Sequence, residues 1–239
     1  MTKNTIVTPE HLQWAAASAK RETESLAFLV MGIDIVAMNN PVRVLSYPAD
    51  SWAWEHGMMC QFKNQNFEVI GIEHDPAVHA QAVLHAPRIG ICTMFTSPMS
   101  FDQYLLTNPD PFDIINLDWK GSWCEEKKRD LKAMFSGTSL LRRGGLLLLS
   151  LPLTPDSPKT TSELYDWANN SIGFSVYGGP RRDENTSALK TRGIPDWIIG
   201  AAEDCGVELR ALVTGVSYSS YNGADAPGPV VQFVFKRIG

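Results

Sequence analysis

The sequence predicts an α/β protein: a mostly parallel sheet, covered by helices on both faces and closed by a C-terminal antiparallel hairpin. Three observations lead there. Beyond residue 41, uninterrupted apolar runs alternate with helix-type segments, and an uninterrupted run marks a strand buried on both faces. Cap and proline signals, such as Asp75-Pro76, open the segments between the runs. Two long β-type segments near the C-terminus are joined only by "GADAPG", which is too short for a parallel crossover.

The elements follow in order. Thr8-Pro9 starts one or two helices that end at Asn39-Asn40-Pro41, so residues 1–40 are read as an N-terminal helical cap on a domain spanning 41–239. Residues 42–48 form a strand, and residues 51–64 a helix capped by Asp50 or Ser51. Residues 67–75 form the second strand, and 76–86 a helix capped by Asp75. A third strand is expected over 90–97, a short helix over 100–107 and the fourth strand over 112–119. A helix starting at Glu125 runs to the stop at Gly144-Gly145, and a fifth strand occupies 146–153. Helices follow over 161–174 and 194–206, separated by a glycine-rich, charged loop or insertion over about 177–193. Residues 207–222 and 229–238 make the hairpin.

At 239 residues the chain can bury a large core without a disulfide or metal staple. A net charge of -5 argues against a uniformly basic nucleic-acid coat, though not against a local patch. Cys60, Cys92, Cys124 and Cys205 form no CxxC pair, as expected of reduced thiols in a cytosol-like compartment. The longest apolar stretch, 26–38, is interrupted by Asp34 and too short to span a bilayer. A soluble, cytoplasmic protein with no membrane partner is the expectation. His74, His79 and His85 share no i, i+4 face, so no metal is expected. Phosphate-loop, GxSxG and GxGxxG motifs are absent, which disfavours nucleotide hydrolysis, acyl transfer and nicotinamide chemistry.

In an open parallel sheet, ligands bind beyond the carboxyl ends of the strands. Those ends read "SYPADSWAWE", "VIGIEHD", "FTSP" and "NLDWKGS". Their order over residues 42–238, with the closing hairpin, resembles the class I S-adenosylmethionine-dependent methyltransferase family. The resemblance implies a three-layer, Rossmann-like fold whose seven-stranded sheet ends in an antiparallel strand, with S-adenosylmethionine as cofactor. It places Tyr47, Pro48 and Asp50 beside the cofactor, although the family's glycine-rich turn is missing: no glycine lies between Ser46 and His56. It also implies that Glu73, with His74 beside it, binds ribose hydroxyls, and that Thr96 lies near the adenine. "NLDWKGS" partly resembles the "DLDPFGS" loop of some RNA guanine methyltransferases, and more distantly the "(D/N)PP(Y/F/W)" loop of amino-methylating enzymes. That likeness puts Asp118 and Trp119 at the transferred methyl, with Lys120 and Trp123 on the acceptor. Arg181 and Arg182, together with Lys190 and Arg192, could hold phosphates. The expected activity is methylation of a nucleic-acid base; the alternative is a non-catalytic binding scaffold on the same fold.

Overall fold

The computed structural model describes residues 34–35, 38, 40–48, 52–89, 97–107, 109–119, 123–136, 139–152, 182–220 and 228–239. The elements are β1 (Val42–Ser46), α1 (Ala53–Gln61), β2 (Phe67–Gly71), α2 (Pro76–His85), α3 (Phe101–Leu105), β3 (Phe112–Asp118), α4 (Glu125–Phe135), β4 (Leu141–Pro152), α5 (Arg182–Glu203), β5 (Leu209–Ser220) and β6 (Gly228–Arg237). They build one sheet of six strands in the order β2-β1-β3-β4-β6-β5. The β1–β2, β1–β3 and β3–β4 pairs are parallel, whereas β6 runs antiparallel to both β4 and β5. Six strands therefore stand among the described residues where seven were expected; of the third expected strand, over 90–97, residues 90–96 lie outside them. Among the described residues no helix is long and apolar enough to cross a membrane.

The alternation of side chains along each strand sorts the core into two layers. Leu45, Ile115, Leu117, Leu147, Leu149 and Phe233 face one layer, with α4 and α5 packed over them through Leu131, Met134, Ile194 and Ile198. Val44, Ile114, Leu146, Leu148 and Val234 face the other, with α1 and α2 supplying Trp52, Met58 and Ala82. Continuous apolar strands are thus explained by burial on both faces.

Three local expectations are corrected. The helix expected from Glu125 to Gly145 ends at Phe135, where Ser136 turns extended (φ -70°, ψ 153°) and its N–H still bonds the Lys132 carbonyl. The glycine pair belongs instead to an irregularity in β4: pairing jumps from Phe112↔Leu141 to Ile114↔Leu146. Gly144 adopts φ +80°, and a Cβ on Gly145 would sit 2.8 Å from the Asp113 carbonyl oxygen and 2.9 Å from that of Arg142. These glycines let the strand bulge against its neighbour. Secondly, α1 is capped by Trp52, not by Asp50 or Ser51; Trp52 has φ 53° and makes no side-chain cap bond. Left-handed backbone at a bulky residue costs about 1–2 kcal/mol. The gain is larger, because the indole is fully buried and its Nε1–H donates to the Ala82 carbonyl at 2.8 Å, tying α1 to α2. Thirdly, the loop expected over 177–193 is helical from Arg182 onward, where Ala188, Leu189, Lys190 and Arg192 are good helix formers; Pro195 stands inside that helix. The cap of α2 is as expected: the Asp75 carboxylate accepts from the N–H groups of Ala77 (2.8 Å) and Val78 (3.3 Å), ahead of Pro76. Of the N-terminal helical region, residues 1–33 lie outside the described ones, and Asp34 pairs with Lys236 of β6.

Gly145→Ala should lower the urea midpoint more than Gly144→Ala. The first forces two backbone carbonyls aside, at roughly 1–3 kcal/mol, while the second meets open space and costs only its positive φ. Equal midpoints for the two variants would show that the close approach does not constrain the bulge.

Candidate functional site

Because β1, β2 and β3 are parallel, their carboxyl ends open on the same side. A cleft of about 390 Å³ lies there. Tyr47 lines it from the end of β1, Glu73 and His74 from beyond β2, and Asp118 and Trp119 from the end of β3; Lys127 and Asp130 close it from α4. Glu73 and Asp118, 45 residues apart in sequence, line this one cleft.

The turn after β2 fixes Glu73. Its Oε1 accepts the Asp75 N–H at 2.8 Å and lies 3.2 Å from His74 Nδ1, while its own carbonyl receives the Met99 N–H at 3.0 Å. Asp118 is the last residue of β3, exposed at the edge opposite Ser150 of β4, and the next N–H, that of Trp119, bonds the Ser150 carbonyl at 3.1 Å. The Tyr47 ring stands edge-on to Phe101 with centroids 6.1 Å apart. Burial pushes its phenol well above the ordinary range, and the negative charge of Asp130 adds to this, against a hydrogen bond from the Trp119 side chain. Asp130 itself is pushed up to about 6, first by burial and then by the neighbouring Glu126 and Asp102 carboxylates. Lys127 is buried, its Nζ 5.9 Å from the centre of the Trp119 ring. Glu73, Asp75, Asp118, Glu126 and Asp130 make the lining predominantly acidic.

The remaining expected residues fall differently. Pro48 is buried and does not line the cleft; its carbonyl accepts the Trp52 N–H at 3.1 Å, so it shapes the first turn. Trp123, expected on the acceptor, is a core residue only 1% exposed, set edge-to-face between Trp119 and Trp197 with centroids 6.3 and 5.4 Å away. It belongs to the same buried cluster as Leu131 and Met134 of α4 and Ile194 and Ile198 of α5. Asp50, Thr96, Lys120 and Arg181 lie outside the described residues, as does the Arg182 side chain.

Reading the sequence missed Glu55. It is 1% exposed on α1, and its Oε1 accepts from the Ser46 hydroxyl, which in turn receives Asn116 Nδ2–H at 3.2 Å. Burial, more than the opposing Ser46 hydrogen bond, raises Glu55 from 4.5 to about 7. The signal was an acid alone among Trp52, Trp54, Met58 and Met59.

Comparison with solved structures places this architecture. The cofactor-bound Rv0187 protein from MTB superposes with a TM-score of 0.51 at 13% identity, over 98% of this chain and 93% of that one. The plantazolicin methyltransferase BamL, solved in complex with a triazolic desmethylPZN analog and SAH, gives 0.50 at 13% identity over 95% and 87%. A protein assigned as an rRNA methylase from Clostridium thermocellum gives 0.50 at 11% identity over 90% and 96%. The fold is the Rossmann-like methyltransferase fold. No protein-family model matches the chain, and no curated protein matches it in sequence. Within the methyltransferase fold, the cleft described above lies at the carboxyl edge of the parallel strands, where such sheets bind ligands.

Glu55 gives a pH test. Between about 4.5 and 7 the unfolded chain releases a proton that folded Glu55 keeps, so stability falls as pH rises through this window. The loss from this group is roughly 3 kcal/mol. Glu55→Gln should therefore gain on the wild type by about that amount between pH 5 and pH 8 in urea titrations. A difference that stays constant with pH would place the Glu55 carboxyl in contact with water.

Proposed function

We propose that the chain is an S-adenosylmethionine-dependent methyltransferase whose acceptor enters the cleft at the end of β3. The observation that carries this reading is the meeting of Glu73 and Asp118 in one cleft on this fold. Its volume of about 390 Å³ suits a small-molecule site. The residues present also fit the cofactor's chemistry. A carboxylate beyond β2 matches a vicinal diol, and Glu73 Oε1, though it accepts the Asp75 N–H, is joined by a second oxygen. Trp52 supplies the positive φ of the first turn that a glycine would otherwise supply. Glu73 would hold the ribose, with Tyr47 and Met99 forming the apolar wall beside it.

When bound, the cofactor supplies an electrophilic sulfonium methyl group. The chain's own contribution is positioning: Asp118 accepts a hydrogen bond from the acceptor and fixes its direction, while Trp119 gives it a flat apolar surface. The acidic lining favours a neutral or cationic acceptor. A nucleic-acid base, the acceptor read from the "NLDWKGS" loop, fits if its phosphates remain outside the cleft. The glycine-free first turn favours a second reading, a binding module that has the fold without the chemistry.

S-adenosylhomocysteine at ~100 times its dissociation constant should stabilise the protein by about 2.7 kcal/mol. No thermal shift at millimolar ligand favours the binding module. Glu73→Ala should weaken that ligand about tenfold by calorimetry, or about 1.4 kcal/mol, with the circular dichroism spectrum unchanged. Undiminished affinity in the folded variant moves the ribose elsewhere. Asp118→Ala should slow single-turnover methyl transfer by about 10²-fold while leaving S-adenosylhomocysteine affinity within a factor of about two. Parallel losses in both would make Asp118 a cofactor ligand.

A further inference from the structure

Glu55 does not line the cleft, but it is held in the layer directly beneath it. Its Oε1 accepts from the Ser46 hydroxyl, which receives Asn116 Nδ2–H at 3.2 Å. Ser46 and Asn116 in turn adjoin the cleft through the backbone. The Ser46 carbonyl accepts the N–H of Ile72 at 2.9 Å, and the Asn116 carbonyl accepts that of Tyr47 at 3.2 Å; Ile72 and Tyr47 both line the cleft. Asp118, at the cleft's rim, follows Asn116 by two places and so stands on the same side of β3.

Folding does not account for an acid at this position. Glu55 is 1% exposed, and its Oε2 has no hydrogen-bond partner among the described residues. Its ionisation therefore costs stability, which a neutral glutamine of the same shape would not. Among the described residues the charged side chain that bears on Glu55 is Asp118; Ser46 of β1 and Asn116 of β3, which join it by hydrogen bonds, are neutral. Burial raises the Glu55 carboxyl to about 7 against the Ser46 hydrogen bond, and the negative charge of Asp118 adds to the rise. Such an influence is mutual: a charge placed beside Asp118 is felt by Glu55, and the charge of Glu55 is felt there. The layer between them is buried, where charges are screened less than at the surface.

We infer that Glu55 distinguishes cofactor from product: its carboxylate beneath the cleft favours the cationic sulfonium of S-adenosylmethionine over the neutral thioether of S-adenosylhomocysteine. This rests on the methyltransferase reading and adds to it a specificity determinant that touches neither ligand. The two ligands share their adenosine and amino-acid ends, so the comparison between them isolates the sulfonium charge. The product is released more readily because its sulfur no longer carries that charge. Linkage gives the sign of the pH dependence. A nearby cation favours the ionised acid, so the preference for S-adenosylmethionine grows as pH rises through the range in which Glu55 loses its proton.

The test is calorimetry on the full chain with S-adenosylmethionine and S-adenosylhomocysteine, at pH 6 and at pH 8. In the wild type the ratio of the two affinities should move toward S-adenosylmethionine by about threefold between these pH values. In Glu55→Gln that movement should be lost; titration of the ligands themselves is common to both proteins and cancels in the comparison. Ser46→Ala removes a hydrogen bond that favours the ionised acid, so it should displace the same movement to higher pH, and it serves alone should Glu55→Gln fail to fold. A ratio that moves equally in wild type and Glu55→Gln, that does not move in the wild type, or whose pH range is untouched by Ser46→Ala overturns the inference and leaves the methyltransferase reading standing. Failure of both ligands to bind at millimolar concentration removes that reading and this inference together.

Discussion

The parallel register of β1, β3 and β4 is the constraint on which the rest depends. Ser46↔Asn116 and Asp118↔Ser150 are backbone-ladder neighbours, held in place by strands whose side chains are buried on both faces. A slip of one residue would turn Leu45, Ile115 and Leu117 into the opposite layer and carry the polar edge residues away from the cleft. The apolar alternation that stabilises the sheet therefore also sets where the chemistry can occur. At the other end of β3, Asp113 supports the same alignment: its carboxylate accepts the Arg43 N–H at 2.8 Å and Arg142 Nη1 at 3.1 Å.

The fold was readable because each strand carries a continuous apolar run and the last two are joined by a short link. Asp75-Pro76 was readable as a helix start because its mechanism is local. What could not be read depended on tertiary contact. Trp52 takes a left-handed backbone conformation only because α2 offers the Ala82 carbonyl to its indole. Gly144-Gly145 resembled a helix stop, since nothing nearby in sequence announces the approach of the Asp113 carbonyl.

The site divides in the same way. Glu73 and Asp118 could be picked out as the polar ends of apolar strands. Trp123 could not be told from a stacking residue, because its burial is decided by Trp197 from α5, far along the chain. Glu55 was hidden for the opposite reason: a single acid in a helix looks like a solvated position until the helix is packed onto Ser46 and Asn116.

Trp119, Trp123 and Trp197 form a run of edge-to-face indoles leading from the cleft into the layer between α4 and α5. Lys128 and Lys132 stand 6.0 and 5.7 Å from the outermost ring. Chromophores this close exchange excitation, so light absorbed by Trp123 or Trp197 is shared with the ring at the cleft wall. The protein thus carries an intrinsic optical reporter: emission and near-ultraviolet dichroism from this trio respond to whatever touches Trp119.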